Sequence, residues 1–201
     1  MNGDTAIDPI LQAAIDRAVA EAVDARLGAL ENQVRRLAAK PALEGQEDRC
    51  TIVAFSGEMD NLLACFNIAS AAAAMGMEVS IFFTFWGINA LRRSRRFRGK
   101  PLGERLVAMM LPKGPGSVAT SRMNMGGMGP VFFKHLMGRR GVADLPSMID
   151  TAKEIGVRMI ACEMSMGVMG VTRDELIDGI DFGGAATYLD DAARSKITLF
   201  I

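Results

Sequence analysis

The chain has 201 residues, half of them hydrophobic, so it is long enough to bury one substantial core. Lys and Arg together number 23, as do Asp and Glu, so no overall charge points to nucleic acid or to an anionic membrane. The three cysteines, Cys50, Cys65 and Cys162, form no Cys-x-x-Cys pair, and no signal-peptide pattern is recognisable. These features favour a cytoplasmic protein with free thiols.

Apolar residues at spacings of three and four predict one long amphipathic helix from Ile7 to Leu37. From Val23 onward the spacing alternates between four and three, as in a coiled-coil seam of about two heptads. Such a stripe needs a covering surface, which favours self-association over packing on its own domain. Proline, glycine and charge in Lys40–Asp48 end the pattern, so we expect a helix and linker over 1–48 and the main domain over 49–201.

The sequence from Cys50 to Gly87 predicts a strand, a helix and a second strand. "CTIVAFSG" is a short β-branched run, "MDNLLACFNIASAAAAMGM" has helical periodicity, and "EVSIFFTFWG" is again apolar. A unit of this length implies parallel pairing with helices on the sheet faces. The apolar stretch Leu62–Leu91 is divided by polar residues and Gly76 into parts too short for an integral membrane span.

The second half of the chain continues the alternation of helices and strands. Thr172, followed three residues later by Glu175, predicts a capping box. "VRMIACE" and "KITLFI" are predicted strands, and "AATYLDDAARS" is the last predicted helix. Other helices are predicted at Pro101–Leu111, Pro130–Arg140 and Leu145–Ile155. The pattern indicates an α/β fold with four or five strands.

Two stretches lie outside this alternation. The run "LRRSRRFR" is most typical of a solvated face, because it lacks the interleaved aromatics and the overall basic charge of a nucleic-acid site. Docking of an anion or an acidic partner stays open. The stretch Lys113–Gly129 is rich in glycine and methionine and has no period, and a loop of this length is usually functional or mobile.

Cys162 ends a predicted interior strand, and ligands and reactive groups gather at the carboxyl edge of parallel sheets. If Met164–Val168 begins a helical turn, its backbone N–H groups would favour the thiolate, which is the reactive form. The alternative is a buried structural cysteine, the commonest fate of a free one. For Cys50 and Cys65 we expect packing roles.

Methionines form two clusters, and their thioethers with a thiol could suit a soft ion such as Cu(I). The spacing specifies no metal geometry, so we expect no metal and favour an apolar pocket that both clusters form near Cys162. His135 is the only histidine, and a Cys-His dyad would require it to meet Cys162 in space. The candidate pocket residues are Met123, Met125, Met128, Met164, Met166 and Met169.

Five segments in order, "TIVAFSGEMD", "AAAAMGMEVSIFFTFWGINAL", "RMNMGGMGP", "MIACEMSMGVMGV" and "ELIDGIDFGGAATYL", resemble the DsrE/DsrF/DsrH-like family of small sulfur-carrier proteins. More narrowly, the chain is similar to a methionine-rich branch found beside rhodanese-like and TusA-like proteins and sometimes labelled peroxiredoxin-like. The resemblance covers Thr51 to Ile201. The peroxiredoxin label fits poorly, because the "PxxxTxxC" pattern is absent and no resolving cysteine is recognisable.

The resemblance implies a three-layer α/β/α domain with a mainly parallel sheet of about five strands, in a homo-oligomer. It implies that Cys162 accepts sulfane sulfur as a persulfide and passes it to a rhodanese-like or TusA-like partner. Such an exchange between thiols requires no cofactor, and from the charge pattern above we expect no nucleic-acid partner. Cys65 matches no family motif. The alternative function is a non-catalytic oligomeric binding or assembly module with a methionine-lined pocket, in which Cys162 is a packing residue.

Overall fold

The structure is a computed structural model that describes residues 9–38, 46–97 and 99–201. The chain divides into two compact units, Met1–Glu44 and Gly45–Ile201. Helix α1, Pro9–Ala38, belongs to the first unit, and its described apolar side chains are exposed. The predicted helix start at Ile7 lies outside the described residues, as do residues 40–45 of the predicted linker.

The second unit contains five strands and six helices among the described residues. The strands are β1 (Glu47–Ala54), β2 (Glu78–Phe83), β3 (Arg158–Cys162), β4 (Asp181–Gly183) and β5 (Ser195–Phe200). The helices are α2 (Met59–Ala74), α3 (Leu102–Met110), α4 (Met128–Arg139), α5 (Leu145–Glu154), α6 (Glu163–Met169) and α7 (Ala185–Arg194). Short 3-10 helices cover Phe85–Leu91, Pro115–Ser117, Met125–Gly127 and Arg173–Glu175. Within the described ranges, no helix combines the length and the hydropathy needed to cross a bilayer.

The five strands form one sheet in the order β4-β3-β2-β1-β5, and every pair is parallel. Alternate strand residues face opposite sides, so Ile81 lies in the main core with α2 and α5 while Phe82 packs towards Tyr188 of α7. Helices therefore cover both faces, and the predicted three-layer α/β/α architecture with a parallel sheet is confirmed.

Strand β2 is shorter than predicted, because the chain turns into a 3-10 helix after Phe83. Phe85 adopts a positive φ of 45°, and the amide of Gly87 donates to the carbonyl of Phe55 at 2.9 Å. A Cβ on Gly87 would lie only 2.0 Å from the carbonyl oxygen of Ala54. Glycine therefore lets this connection close tightly over the end of β1.

The arginine run is not uniformly solvated, because Arg92 is fully buried beside Glu175. Arg92 Nη2 donates to Glu175 Oε1 at 3.1 Å, and Lys100 Nζ donates to Glu175 Oε2 at 2.5 Å. The amide of Thr172 also donates to Glu175 at 2.9 Å, which confirms the predicted capping box. Arg96 follows the expectation, since it pairs at the surface with an aspartate. Arg98 lies outside the described residues.

Burial alone would raise the pKa of Glu175, but hydrogen bonds from Lys100 and from backbone amides outweigh it and lower the pKa to about 2. The buried carboxylate of Glu175 therefore links the arginine run to the segment that follows α6. Removing its charge would leave Arg92 and Lys100 buried without a counter-charge.

We expect Glu175→Gln to lower the free energy of unfolding by about 3–5 kcal/mol, measured by urea denaturation at pH 7. The matched control is Asp174→Asn, which removes a carboxylate from an exposed pair with Arg96 and should cost no more than about 1 kcal/mol. Equal losses in the two variants would contradict a special role for Glu175.

The same carboxylate predicts a pH dependence. Because its folded pKa of about 2 lies below its ordinary value of 4.5, its contribution is complete above pH 4.5 and is lost as the pH falls towards 2. The wild-type protein should lose this part of its stability over that range, whereas Glu175→Gln should not.

Candidate functional site

The candidate site lies at the carboxyl edge of the sheet, where β2 and β3 end side by side. Phe83 pairs with Ala161 in the parallel ladder, so the next residues, Thr84 and Cys162, are neighbours. On the other side, Cys162 pairs with Gly183 of β4. Cys162 therefore ends an interior strand, as the sequence predicted.

Helix α6 begins directly after Cys162 and places Ser165 in its first turn. The hydroxyls of Ser165 and Thr84 are 2.8 Å apart, and Ser165 is fully buried. Both hydroxyls and the backbone amides of Ser165 and Met164 are the hydrogen-bonding groups that act to lower the pKa of the Cys162 thiol. Two elements, the end of β2 and the start of α6, thus surround one sulfur atom with donors.

These donors determine the protonation of the thiol. Cys162 is only 3 % exposed, and burial by itself would raise its pKa. The hydrogen bonds from Ser165, Thr84 and the amide of Met164 outweigh burial, so the pKa of Cys162 lies below its ordinary value. This is the direction expected from a helix that starts at the cysteine.

The other two thiols differ from Cys162 in this respect. Cys50 on β1 and Cys65 on α2 are both free and fully buried in the main core. Burial raises the pKa of Cys50, and burial together with the nearby Cys50 raises the pKa of Cys65 to about 12. A thiol with such a pKa is protonated at neutral pH and reacts poorly, which agrees with packing roles for both.

Apolar residues close the site on the α7 side of the sheet. Phe82, Ile160 and Cys162 form a small buried cluster against Tyr188, whose ring centroid is 5.7 Å from that of Phe82. A Cβ on Gly183 would lie 2.6 Å from the Thr187 hydroxyl, so glycine permits α7 to approach β4 this closely. The sulfur therefore lies against an apolar wall that includes two aromatic rings.

The two methionine clusters lie in different surroundings. Met123, Met125 and Met128 line an apolar cavity of about 600 Å³. Met166 and Met169 on α6 are core residues, and Met164 is exposed. None of these three lines that cavity. The described structure does not bring the clusters into one pocket, because the α6 periodicity turns two methionines inward.

His135 is exposed on α4, and the donors to the Cys162 sulfur come from Thr84, Met164 and Ser165 instead. The sequence reasoning missed both hydroxyls. Ser165 could have been found, because it stands three residues after the cysteine in the first turn of a predicted helix. Thr84 could not, because its proximity depends on the register between β2 and β3.

A profile of the DsrE/DsrF/DrsH-like family matches residues 46–200. The chain belongs to this family. The DsrE-like domain is 43 % identical over 157 residues to protein YrkE of Bacillus subtilis (strain 168), covering 78 % of this chain and 98 % of the relative. It is 32 % identical over 160 residues to the sulfur carrier protein DsrE2 of Allochromatium vinosum, covering 78 % of this chain and 99 % of that relative.

Among solved structures, the crystal structure of the ychN protein from E. coli aligns with a TM-score of 0.44 and 12 % identity, covering 78 % of this chain and 99 % of that chain. The family profile and the DsrE2 relative confirm the resemblance to the DsrE-like family, and with it a coarse association with sulfur carriers. The family match begins at Gln46, next to the start of the second compact unit.

We expect Ser165→Ala to raise the pKa of Cys162, because it removes the hydroxyl that donates to the thiolate. The measurement is the rate of alkylation by iodoacetamide against pH, whose midpoint should move to higher pH. At pH 7 the rate should fall several-fold. Ser165→Thr, which keeps a hydroxyl, is the matched control and should lie closer to the wild type. An unchanged midpoint in Ser165→Ala would rule out this role for the hydroxyl.

Proposed function

We propose that the protein is a sulfur-relay protein that accepts sulfane sulfur on Cys162 as a persulfide and passes it to a partner protein. The observation that carries the proposal is the contrast among three buried thiols, of which Cys162 has a lowered pKa and hydrogen-bond donors around its sulfur. Membership of a family that includes a sulfur carrier supports it.

The transfer step is an exchange between sulfur atoms. The Cys162 thiolate attacks the outer sulfur of a donor persulfide, R–S–SH, and a bond forms between Sγ and that sulfur. The S–S bond of the donor breaks, and its electron pair leaves with the inner sulfur as the thiolate R–S⁻. The outer sulfur keeps its hydrogen, so the step needs no external oxidant or reductant. Delivery is the same exchange with an acceptor thiolate as the attacking group.

The residues around Cys162 suit each stage of this exchange. Ser165 and Thr84 stabilise the attacking thiolate and would donate to the same sulfur when it becomes a leaving group. The wall of Phe82, Ile160 and Tyr188 limits the access of water to the bound sulfur. Since all three cysteines are free, we infer that the protein works in a reducing compartment such as the cytoplasm.

Sulfur transfer requires a donor and an acceptor, and we infer that these are proteins that present a cysteine persulfide or thiol. Rhodanese-like and TusA-like proteins are the candidates that the family resemblance suggests. A nucleic-acid partner and a resident cofactor are not part of the proposal, because an exchange between thiols uses neither.

Incubation with a low-molecular-weight persulfide should add the mass of one sulfur atom to the intact protein, and dithiothreitol should remove it. Cys162→Ala should abolish the added mass, whereas the matched controls Cys50→Ala and Cys65→Ala should retain it. Loss of the mass in a control variant but not in Cys162→Ala would refute the assignment.

A second candidate function is a non-catalytic oligomeric binding or assembly module, which the methionine-lined cavity of about 600 Å³ favours. In that case Cys162 is a packing residue and no persulfide should form on it. The mass measurement therefore separates the two functions directly.

We also infer that the protein is a homo-oligomer and that α1 strengthens the assembly. Val19, Val23, Leu27 and Leu30 follow one another at helical spacing, and all four are exposed. An apolar stripe of this kind on a charged helix is typical of an association surface.

Leu27→Glu combined with Leu30→Glu should lower the mass measured by multi-angle light scattering, or make it fall at lower protein concentrations. The matched control, Ala25→Glu with Asn32→Glu, adds the same charge to the opposite face of α1 and should leave the mass unchanged. A wild-type protein that is monomeric at every concentration would exclude the inference.

A further inference from the structure

Residues 121–140 form a basic and apolar segment that the sulfur-relay proposal does not use. The segment contains four Lys or Arg residues and no Asp or Glu, in a chain whose net charge is zero. The chain as a whole has no net charge, but residues 121–140 carry a local excess of positive charge. Such an excess attracts anionic surfaces over a distance of about 10 Å at moderate salt.

The exposed face of α4 carries large apolar side chains beside His135 and Arg139. Met128, Val131, Phe132 and Leu136 follow the spacing of one helical face, and all four are exposed, Met128 by 66 % and Phe132 by 59 %. The opposite face buries Pro130 and Met137. Large apolar side chains of this number are unusual on the solvent-facing side of a surface helix.

This outer face borders the apolar cavity of about 600 Å³, which Phe133 and the methionines of residues 121–128 complete. Ser121, at the edge of the cavity, is held to α2. Its backbone amide donates to the Asp60 carboxylate at 2.8 Å, and its hydroxyl donates to the same carboxylate. The surface is thus continuous and anchored at the N-terminal end of α2.

Three arginines and one acidic residue, Asp60, lie around this apolar surface. Arg122 lines the cavity, and Arg139 and Arg140 border a hollow beside Leu136 at the end of α4. Within the described part of the chain, none of these three arginines forms an ion pair. Their charge is therefore available to a partner.

We propose that residues 121–140 dock on the anionic surface of a phospholipid bilayer, with the apolar side chains of α4 at the headgroup boundary and the arginines at lipid phosphates. Large apolar side chains on one face, with arginines and lysines beside them, are the features of helices that lie in the membrane interface. A second copy related by a two-fold axis would instead bring the same patch, with its excess of positive charge, against this one. The proposal concerns peripheral binding and does not depend on the chemistry of Cys162.

The test is co-sedimentation of the full chain with vesicles of phosphatidylglycerol and phosphatidylcholine, compared with vesicles of phosphatidylcholine alone. Binding should require the anionic lipid and should weaken as the salt concentration rises. Arg139→Glu with Arg140→Glu should lower the partition coefficient by about tenfold or more. Val131→Ser with Phe132→Ser should also lower it, because these side chains supply the apolar contact.

The matched control is Arg17→Glu with Arg26→Glu, which makes the same change in net charge on α1 and should leave binding unchanged. Thermal unfolding and persulfide loading of Cys162 should be the same in all variants, since every substituted side chain is exposed.

Three results would overturn the proposal. The first is equal or absent sedimentation with the two kinds of vesicle. The second is loss of binding in the α1 control as well as in the α4 variants. The third is a fall in light-scattering mass of the α4 variants with vesicle binding intact, which would assign the surface to contacts between copies.

Discussion

The parallel pairing of β2 with β3 is the constraint on which the candidate site depends. Because the two strands run in the same direction and in fixed register, the residues that follow them meet at one edge. Thr84 reaches Cys162 only through this pairing, and α6 can bring Ser165 to the same sulfur only because it starts where β3 ends. A shift of one residue in the register would turn Cys162 to the other face of the sheet and separate it from both hydroxyls.

Burial disfavours the reactive thiolate form of Cys162, whereas hydrogen bonds to the sulfur favour it. A buried thiol without donors stays protonated, as the raised pKa of Cys65 shows. Full exposure would favour the thiolate but would open a bound sulfur to water and to competing thiols. Donors arranged inside an apolar enclosure favour the thiolate while Cys162 stays only 3 % exposed.

Local periodicity was sufficient to predict the α/β fold and the place of Cys162. The alternation of apolar runs with helical spacing located the central strands, and "VRMIACE" correctly placed Cys162 at a strand end. Contacts between segments were beyond such patterns. Burial of Arg92 depends on Glu175, which lies 83 residues away, and the separation of the two methionine clusters depends on how α6 packs. Both follow from tertiary packing, which composition and spacing do not encode.

The net charge of the chain also does not predict its local electrostatics. A net charge of zero does not exclude a local excess of one charge, because acidic and basic residues are distributed unevenly along the chain. In the interior, the Glu175 carboxylate neutralises the charges of Arg92 and Lys100, so these two cations contribute little to the field at the surface. On α4, arginines stay at the surface beside apolar side chains and keep theirs. Two basic stretches that look alike in sequence therefore differ in the folded chain, because Arg92 in one is neutralised by a buried carboxylate and the arginines of the other stay at the surface.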